Sequence, residues 1–302
     1  MRKILLNLLL CLPFATAWTQ VPEYDYFPAS HCRALGIRTV TVYQSNVDSA
    51  RARSTTGKSI RLAKNIDRQL NFDAAGRRVK LVKFIRGGAM VQQEINFQYA
   101  AYGLLESETL RLYHTNNADS TKLIQSREKV YYHDNFGILN ATANYLLSGT
   151  KRTLVDSTTI ELDSEARISK ESVFVPESKQ KPQLVKSYAY QDNKIVVTTL
   201  IEGQVSNRDE HLLRDQWFSV QELNFAANEP APRLETQYKH DANDRLVEIR
   251  YLPDWKHFVP AETVVLRKNT FDKQGRLTEA RLEYADGKAT LELYDYSNET
   301  DE

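Results

Sequence analysis

Phe271-Asp272-Lys273-Gln274-Gly275-Arg276-Leu277, continuing with period two to Tyr284, reads as a strand end, a tight turn and a returning strand. Asp suits the first turn position because its carboxylate accepts hydrogen bonds from backbone N–H groups two residues on. Gly three residues later takes the left-handed conformation that closes a hairpin through a bulge. Beyond the turn, alternation places Thr278, Ala280, Leu282 and Tyr284 on one face and Leu277, Glu279, Arg281 and Glu283 on the other. Asp286-Gly287 then lies between two alternating runs. That is the pattern of a type I′ hairpin turn, in which both central residues need positive φ.

The unit recurs. Phe72-Asp73-Ala74-Ala75-Gly76-Arg77, His133-Asp134-Asn135-Phe136-Gly137-Ile138, Leu162-Asp163-Ser164-Glu165-Ala166-Arg167-Ile168 and His240-Asp241-Ala242-Asn243-Asp244-Arg245-Leu246 carry worn copies. Ala166 and Asp244 stand where the other copies have Gly, and Asp tolerates the left-handed region better than most residues. Tyr190-Gln191-Asp192-Asn193 is a shorter relative. The returning strands end on aromatics such as Tyr251 and Tyr284. Repeated hairpins and a chain rich in Tyr (16) predict an all-β, mainly antiparallel fold. Irregular β-hairpin repeats would form one large curved sheet. In this reading the Asp and Gly of each turn, Asp272 and Gly275 among them, are hairpin machinery.

The aromatic-Asp-x-x-Gly-Arg-Leu unit resembles the YD repeat of RHS-type secreted bacterial proteins. Phe271-Asp272, Gly275-Arg276-Leu277, Phe72-Asp73, Gly76-Arg77, Asp241 and Arg245-Leu246 carry the resemblance, which is local and spans about a third of the chain. It implies long curved sheets that serve as shells, spacers or binding surfaces, with repeats that are not catalytic. The copies here are unevenly spaced and the chain is much shorter than such shells. The closed shell and any role in toxin delivery are therefore not carried over.

With 302 residues, 41% hydrophobic and 26% charged, the chain is a folded protein of one large or two ordinary domains. A formal charge of +1 without a polybasic block argues against a nucleic-acid partner. Met1–Ala17 reads as a signal peptide. Arg2 and Lys3 precede an apolar run, and Ala15-Thr16-Ala17 forms a small-x-small cleavage site. The run is too short to span a membrane. Leu9 and Leu10 before Cys11 disfavour a lipidation site. Cleavage leaves Cys32 free, paired between chains or buried, with no internal disulfide.

Residues 18–302 then form a β-rich exported domain, with Pro176 and Pro182 marking an exposed loop or joint at 176–183. The stretch 207–223 is ambiguous. Leu212, Leu213, Trp217, Val220 and Leu223 fit a short helix, while Trp217, Ser219, Gln221, Leu223 and Phe225 fit a strand.

Chemistry is hard to find. The six His make no metal-binding pair, and His31-Cys32, if in a strand, point to opposite faces. No nucleophile elbow, phosphate loop or dinucleotide fingerprint is present, so no cofactor is expected. Trp217, Tyr251, Trp255, Tyr284 and Tyr294 could form an aromatic binding surface, or pack the sheet core or rim. The expected function is a non-catalytic, exported structural or binding module of the envelope or extracellular space. Its partner would be a protein, glycan or lipid. The alternative is a periplasmic or envelope carrier holding an apolar, lipid-like ligand in the curved sheet.

Overall fold

The computed structural model describes residues 26–47, 65–85, 88–115, 121–178, 181–214, 218–254 and 259–298. Met1–Ala17, Trp217 and Trp255 lie outside them. After one short helix, α1 (Ala29–Ala34), the chain is a succession of strands. They are β1 (Thr39–Val47), β2 (Asn65–Phe72), β3 (Arg78–Ile85), β4 (Met90–Tyr99), β5 (Leu105–Thr115) and β6 (Thr121–His133). Then follow β7 (Leu139–Ser148), β8 (Lys151–Leu162), β9 (Ile168–Phe174), β10 (Leu184–Gln191), β11 (Lys194–Ile201) and β12 (Gln204–Arg214). The last are β13 (Phe218–Ala226), β14 (Leu234–His240), β15 (Leu246–Pro253), β16 (Val264–Phe271), β17 (Leu277–Tyr284) and β18 (Ala289–Ser297).

Each strand pairs antiparallel with the one before and the one after it, and β1 pairs with both β2 and β18. The expected curved sheet therefore closes into an up-and-down barrel, which leaves no sheet edge unpaired. A wall of 18 strands is wider than side chains alone can fill. Barrels of about 16–18 strands enclose a lumen.

The hairpin unit recurs with the same bonds at one end of the barrel. Asp272 Oδ1 accepts from the Gln274 and Arg276 amides at 2.9 Å, and Arg276 Nε donates to Asp272 Oδ2 at 2.7 Å. Asp73, Asp163 and Asp241 repeat the set, and Asp134 keeps its two backbone bonds. A further copy, Tyr99-Ala100-Ala101-Tyr102-Gly103-Leu104, has the same backbone bonds with Ala in the Asp place. The Arg of a turn also stacks on an aromatic two strands further on. Arg77 lies over Tyr99 at 4.8 Å, Arg167 over Tyr190 at 4.3 Å, Arg245 over Phe271 at 5.1 Å and Arg276 over Tyr296 at 5.2 Å. Each Tyr hydroxyl donates to the carbonyl of the residue after the Arg that it covers. Phe271 lacks that hydroxyl, and Asn269 Nδ2 donates to the Leu246 carbonyl in its place.

Every such hairpin carries a bulge, which corrects the expected faces. Phe271 pairs with Leu277 and Thr270 with Glu279, so Thr278 is the extra residue. Leu277 consequently turns inward with Ala280, and both are fully buried. Asp286-Gly287 is not a type I′ turn, because Gly287 has φ +82° but Asp286 is not among the positive-φ residues. Tyr284 N donates to Lys288 O and Gly287 N to Tyr284 O, the bulged pattern of the other hairpins. Among the described residues, the two-residue turn with positive φ at both positions is Glu202-Gly203, at 51° and 83°.

Two further expectations are corrected. No helix occurs among the described residues of 207–223: they belong to β12 and β13, with a bulge between Leu212 and Leu213. His31 and Cys32 lie in α1, not in a strand, and Cys32 is a fully buried thiol outside any disulfide.

Ala166 holds the left-handed position of its turn at φ 59°, a conformation costing an L-residue about 1–2 kcal/mol. Ala166→Gly is therefore expected to raise stability by about 1 kcal/mol, less the greater freedom of Gly in the unfolded chain. Urea unfolding measures it, and a lower midpoint for the Gly variant would sink the argument.

Candidate functional site in the lumen

One side of each strand faces the lumen. Val40, Leu70, Leu81, Ile95 and Leu110 are successive cross-strand partners from β1 to β5, and the N-terminal segment sits on this apolar row. Phe27, Cys32 and Ile37 complete the buried cluster with Phe72, Leu277, Ala280 and Tyr294. Residues 26–37 thus plug one sector of the barrel. Tyr26 also touches a second cluster, Tyr238, Leu246 and Ile249.

Beyond Leu110 the row continues as Arg127, and the wall turns polar. Tyr131 Oη donates to Glu108 at 2.6 Å and Asn144 Nδ2 to Asp156 at 2.6 Å. Asp209 accepts from Asn207 at 2.8 Å and Asn224 at 2.5 Å. His211 Nδ1 lies 3.0 Å from Glu222 Oε1, and the Tyr238 phenol stands beside the same carboxylate. Tyr188 stands beside Glu171. Burial, reinforced by these carboxylates, pushes the Tyr131, Tyr188 and Tyr238 phenols well up, so they remain donors at any physiological pH.

Beside the plug the polar chemistry differs. Glu292 accepts from Arg68 at 2.8 Å, Arg267 at 3.3 Å and Tyr294 at 2.6 Å. Arg267 also stacks on Tyr26 at 5.1 Å, and Asn269 bonds Tyr26 Oη at 3.0 Å. This network ties the plug to the wall.

The outer wall is charged at mid-strand. Glu94 joins Lys80 and Arg111, Glu210 joins Lys194 and Arg208, and Glu248 joins Arg250 and Lys268. Arg152–Glu128 and Lys170–Glu161 continue the pattern. A lipid-facing barrel needs an apolar band about 25 Å tall, and charge at its middle costs about 2–4 kcal/mol per group. The described outer wall fits water instead.

Of the aromatics expected to form a surface, Tyr251 and Tyr294 face the lumen on either side of Arg267; burial raises both phenols, and the Arg267 charge opposes the rise. Tyr284 closes a hairpin at the opposite end from the Asp-Arg turns and joins neither. The lumen carboxylates with their amide and phenol partners were not among the expected site residues. Their only sequence signal is a polar residue at alternate positions on strands whose other face is polar too.

His211 offers a direct check. The Glu222 hydrogen bond raises its pKa and outweighs burial, which lowers it. The folded pKa exceeds the unfolded value of about 6.5, so the pair's stabilisation is complete below that value and disappears as pH rises through the folded pKa. Titration by NMR is expected to place His211 above the unfolded value, and Glu222→Gln to bring it down. An unchanged pKa in the variant would show that Glu222 is not the cause.

No protein-family model and no curated protein matches the sequence. Among solved structures, a porin-like protein from Bacteroides uniformis is 8% identical, with 86% of this chain and 98% of that one covered and a TM-score of 0.35. The TcdB2-TccC3-Cdc42 complex is 12% identical over 79% of this chain and 14% of that one, with a TM-score of 0.33. A LolA-superfamily protein from Nitrosomonas europaea is 8% identical, covering 91% and 92%, with a TM-score of 0.20. Superpositions this loose carry no argument about what this barrel does.

Proposed function

We propose that this chain is an exported, non-catalytic barrel of the cell envelope, periplasmic, outer-envelope-associated or secreted, that uses its lumen as a binding or structural chamber. The observation that carries the reading is a charged outer wall enclosing a lumen whose described lining is polar outside the sector plugged by residues 26–37. The signal-like Met1–Ala17 supports export, and the resemblance to YD repeats supports a scaffold role for the turns. The lumen carboxylates are held by amides, phenols and guanidinium groups of the wall itself, which favours binding over turnover. The mature chain is expected to stay soluble without detergent. Native mass spectrometry of protein purified from its own host is expected to retain a ligand or partner. A detergent-dependent chain, or a bare one that turns over envelope components, would overturn the reading.

A lipid-like cargo is the second reading. Leu112 and the 37%-exposed Leu146 favour it, since both face the lumen outside the plugged sector. A co-purified lipid mass in the same spectrum would decide for it.

A further inference from the structure

The lumen treats its carboxylates in two ways. On the plug side, Glu292 is met by two guanidinium groups and sealed from solvent. On the arc from β9 to β14, Asp209 is met by two amides and Glu222 by His211, Lys186 stands opposite Glu171 across the β9–β10 pairing, and the groups stay part-open: the side chains of His211 and Glu222 are 30% and 22% exposed. Asp209 there clamps two amides, Asn207 from its own strand and Asn224 from the next. Each amide gives one N–H to the carboxylate. It keeps its carbonyl oxygen and a second N–H for something else.

We propose that this arc of the lumen, centred on the Asn207–Asp209–Asn224 clamp, binds a neutral polyhydroxylated ligand, an oligosaccharide. The inference rests on the lumen being a binding chamber. The chemistry selects the class. A sugar hydroxyl is donor and acceptor at once, and it matches an array that presents amide N–H, amide carbonyl and carboxylate lone pairs side by side. Tyr188 lies in the same cross-strand row, one strand beyond Val197, the partner of Asp209. Its flat phenol, beside Glu171, offers an apolar face for a sugar ring at the flank of the clamp. Asp209, Glu171 and Glu222 outnumber Lys186 and His211 on this face, which disfavours an anion. An apolar chain would strand the clamp's remaining polar atoms.

Soluble oligomers of glucose and of N-acetylglucosamine provide the probes, read by saturation-transfer NMR and calorimetry on the mature chain. At least one series is expected to bind, and Asn207→Ala with Asn224→Ala is expected to weaken it by about tenfold or more. Asn96→Ala, on the outer wall, is expected to leave affinity unchanged. Tyr188→Ala, which removes the flat face and leaves the clamp intact, is expected to weaken binding as well, so a folding defect in the double variant would not hide the result. Failure of both series to bind would overturn the proposal, as would binding indifferent to the clamp or calcium bound there instead. If a different ligand is nevertheless found in the lumen by native mass spectrometry, the chamber survives and only the ligand class is wrong.

Discussion

A Gly76→Ala chain is expected to lose its plug. Gly76 holds the left-handed position of the β2–β3 turn at φ +79°. A Cβ there would press on the Ala29 carbonyl oxygen inside contact distance and approach the Arg33 amide to 2.7 Å. Both obstacles are backbone atoms of α1 and cannot rotate away as a side-chain tip would. The methyl group must therefore displace the helix or deform the turn, on top of the roughly 1–2 kcal/mol of the left-handed conformation. Displacing α1 exposes Cys32, Phe27 and Ile37, all buried in the main cluster. The combined loss is expected to reach about 3 kcal/mol or more. Gly287→Ala is the matched control: its φ is +82° and nothing lies within 4 Å of the added Cβ, so only the conformational term applies. Thermal unfolding and thiol labelling, with the modified peptide identified by mass spectrometry, read the two effects. Cys32 should be inert in the native chain, inert with Gly287→Ala and reactive with Gly76→Ala. Equal melting temperatures for the two variants and an unlabelled Cys32 would refute the close fit of helix and turn.

That contact also marks where the sequence stops being legible. The hairpins could be read because their determinants are local: Asp272, Gly275 and Arg276 bond one another within five consecutive residues. The same holds at Asp73, Asp163 and Asp241. Closure could not be read, since it depends on β1 meeting β18, with Val42 opposite Tyr294 at the other end of the chain. No local pattern specifies such a pairing. Nor could alternation say which face is inside, because charged residues line both. Glu292 faces the lumen and Glu94 the water, and nothing in their spacing distinguishes them. The bulges hide more, since each shifts the period by one and moved Leu277 from the face expected to carry Glu279 and Arg281 to that of Ala280. Helix α1, six residues without a side-chain cap, has no intrinsic signal and exists because Cys32 and its neighbours are buried. The partners of the turn arginines, Tyr99, Tyr190, Phe271 and Tyr296, lie two strands away and escaped notice for the same reason.

The second large effect is expected at Glu292. Burial alone would raise its pKa, but Arg68, Arg267 and the Tyr294 hydroxyl outweigh burial and hold it down at about 2, against an ordinary value of 4.5. A carboxylate with a depressed folded pKa stabilises the fold fully above its unfolded value. That stabilisation is lost as pH falls through the folded one. The window here runs from about 4.5 down to about 2, and the linkage amounts to about 3 kcal/mol. Acid titration of unfolding free energy is expected to show that loss, and Glu292→Gln to flatten the curve across the same window. Removal of the charge does more than erase a favourable pair: it leaves Arg68 and Arg267 facing one another in a site almost closed to water. Breaking a buried pair in this way costs about 3–5 kcal/mol at neutral pH. The plug shares the network through Tyr26, which lies under Arg267 and bonds Asn269. Glu292→Gln is therefore also expected to make Cys32 reactive, as Gly76→Ala does, although the two positions share no contact. Replacing the trio together, Glu292→Leu with Arg68→Met and Arg267→Met, removes the stranded charges and is expected to recover most of the neutral-pH stability while abolishing the acid transition. Recovery without that loss of pH dependence would show that the acid transition belongs to other carboxylates, with the turn aspartates Asp73, Asp241 and Asp272, all held below their ordinary pKa, next to be tested.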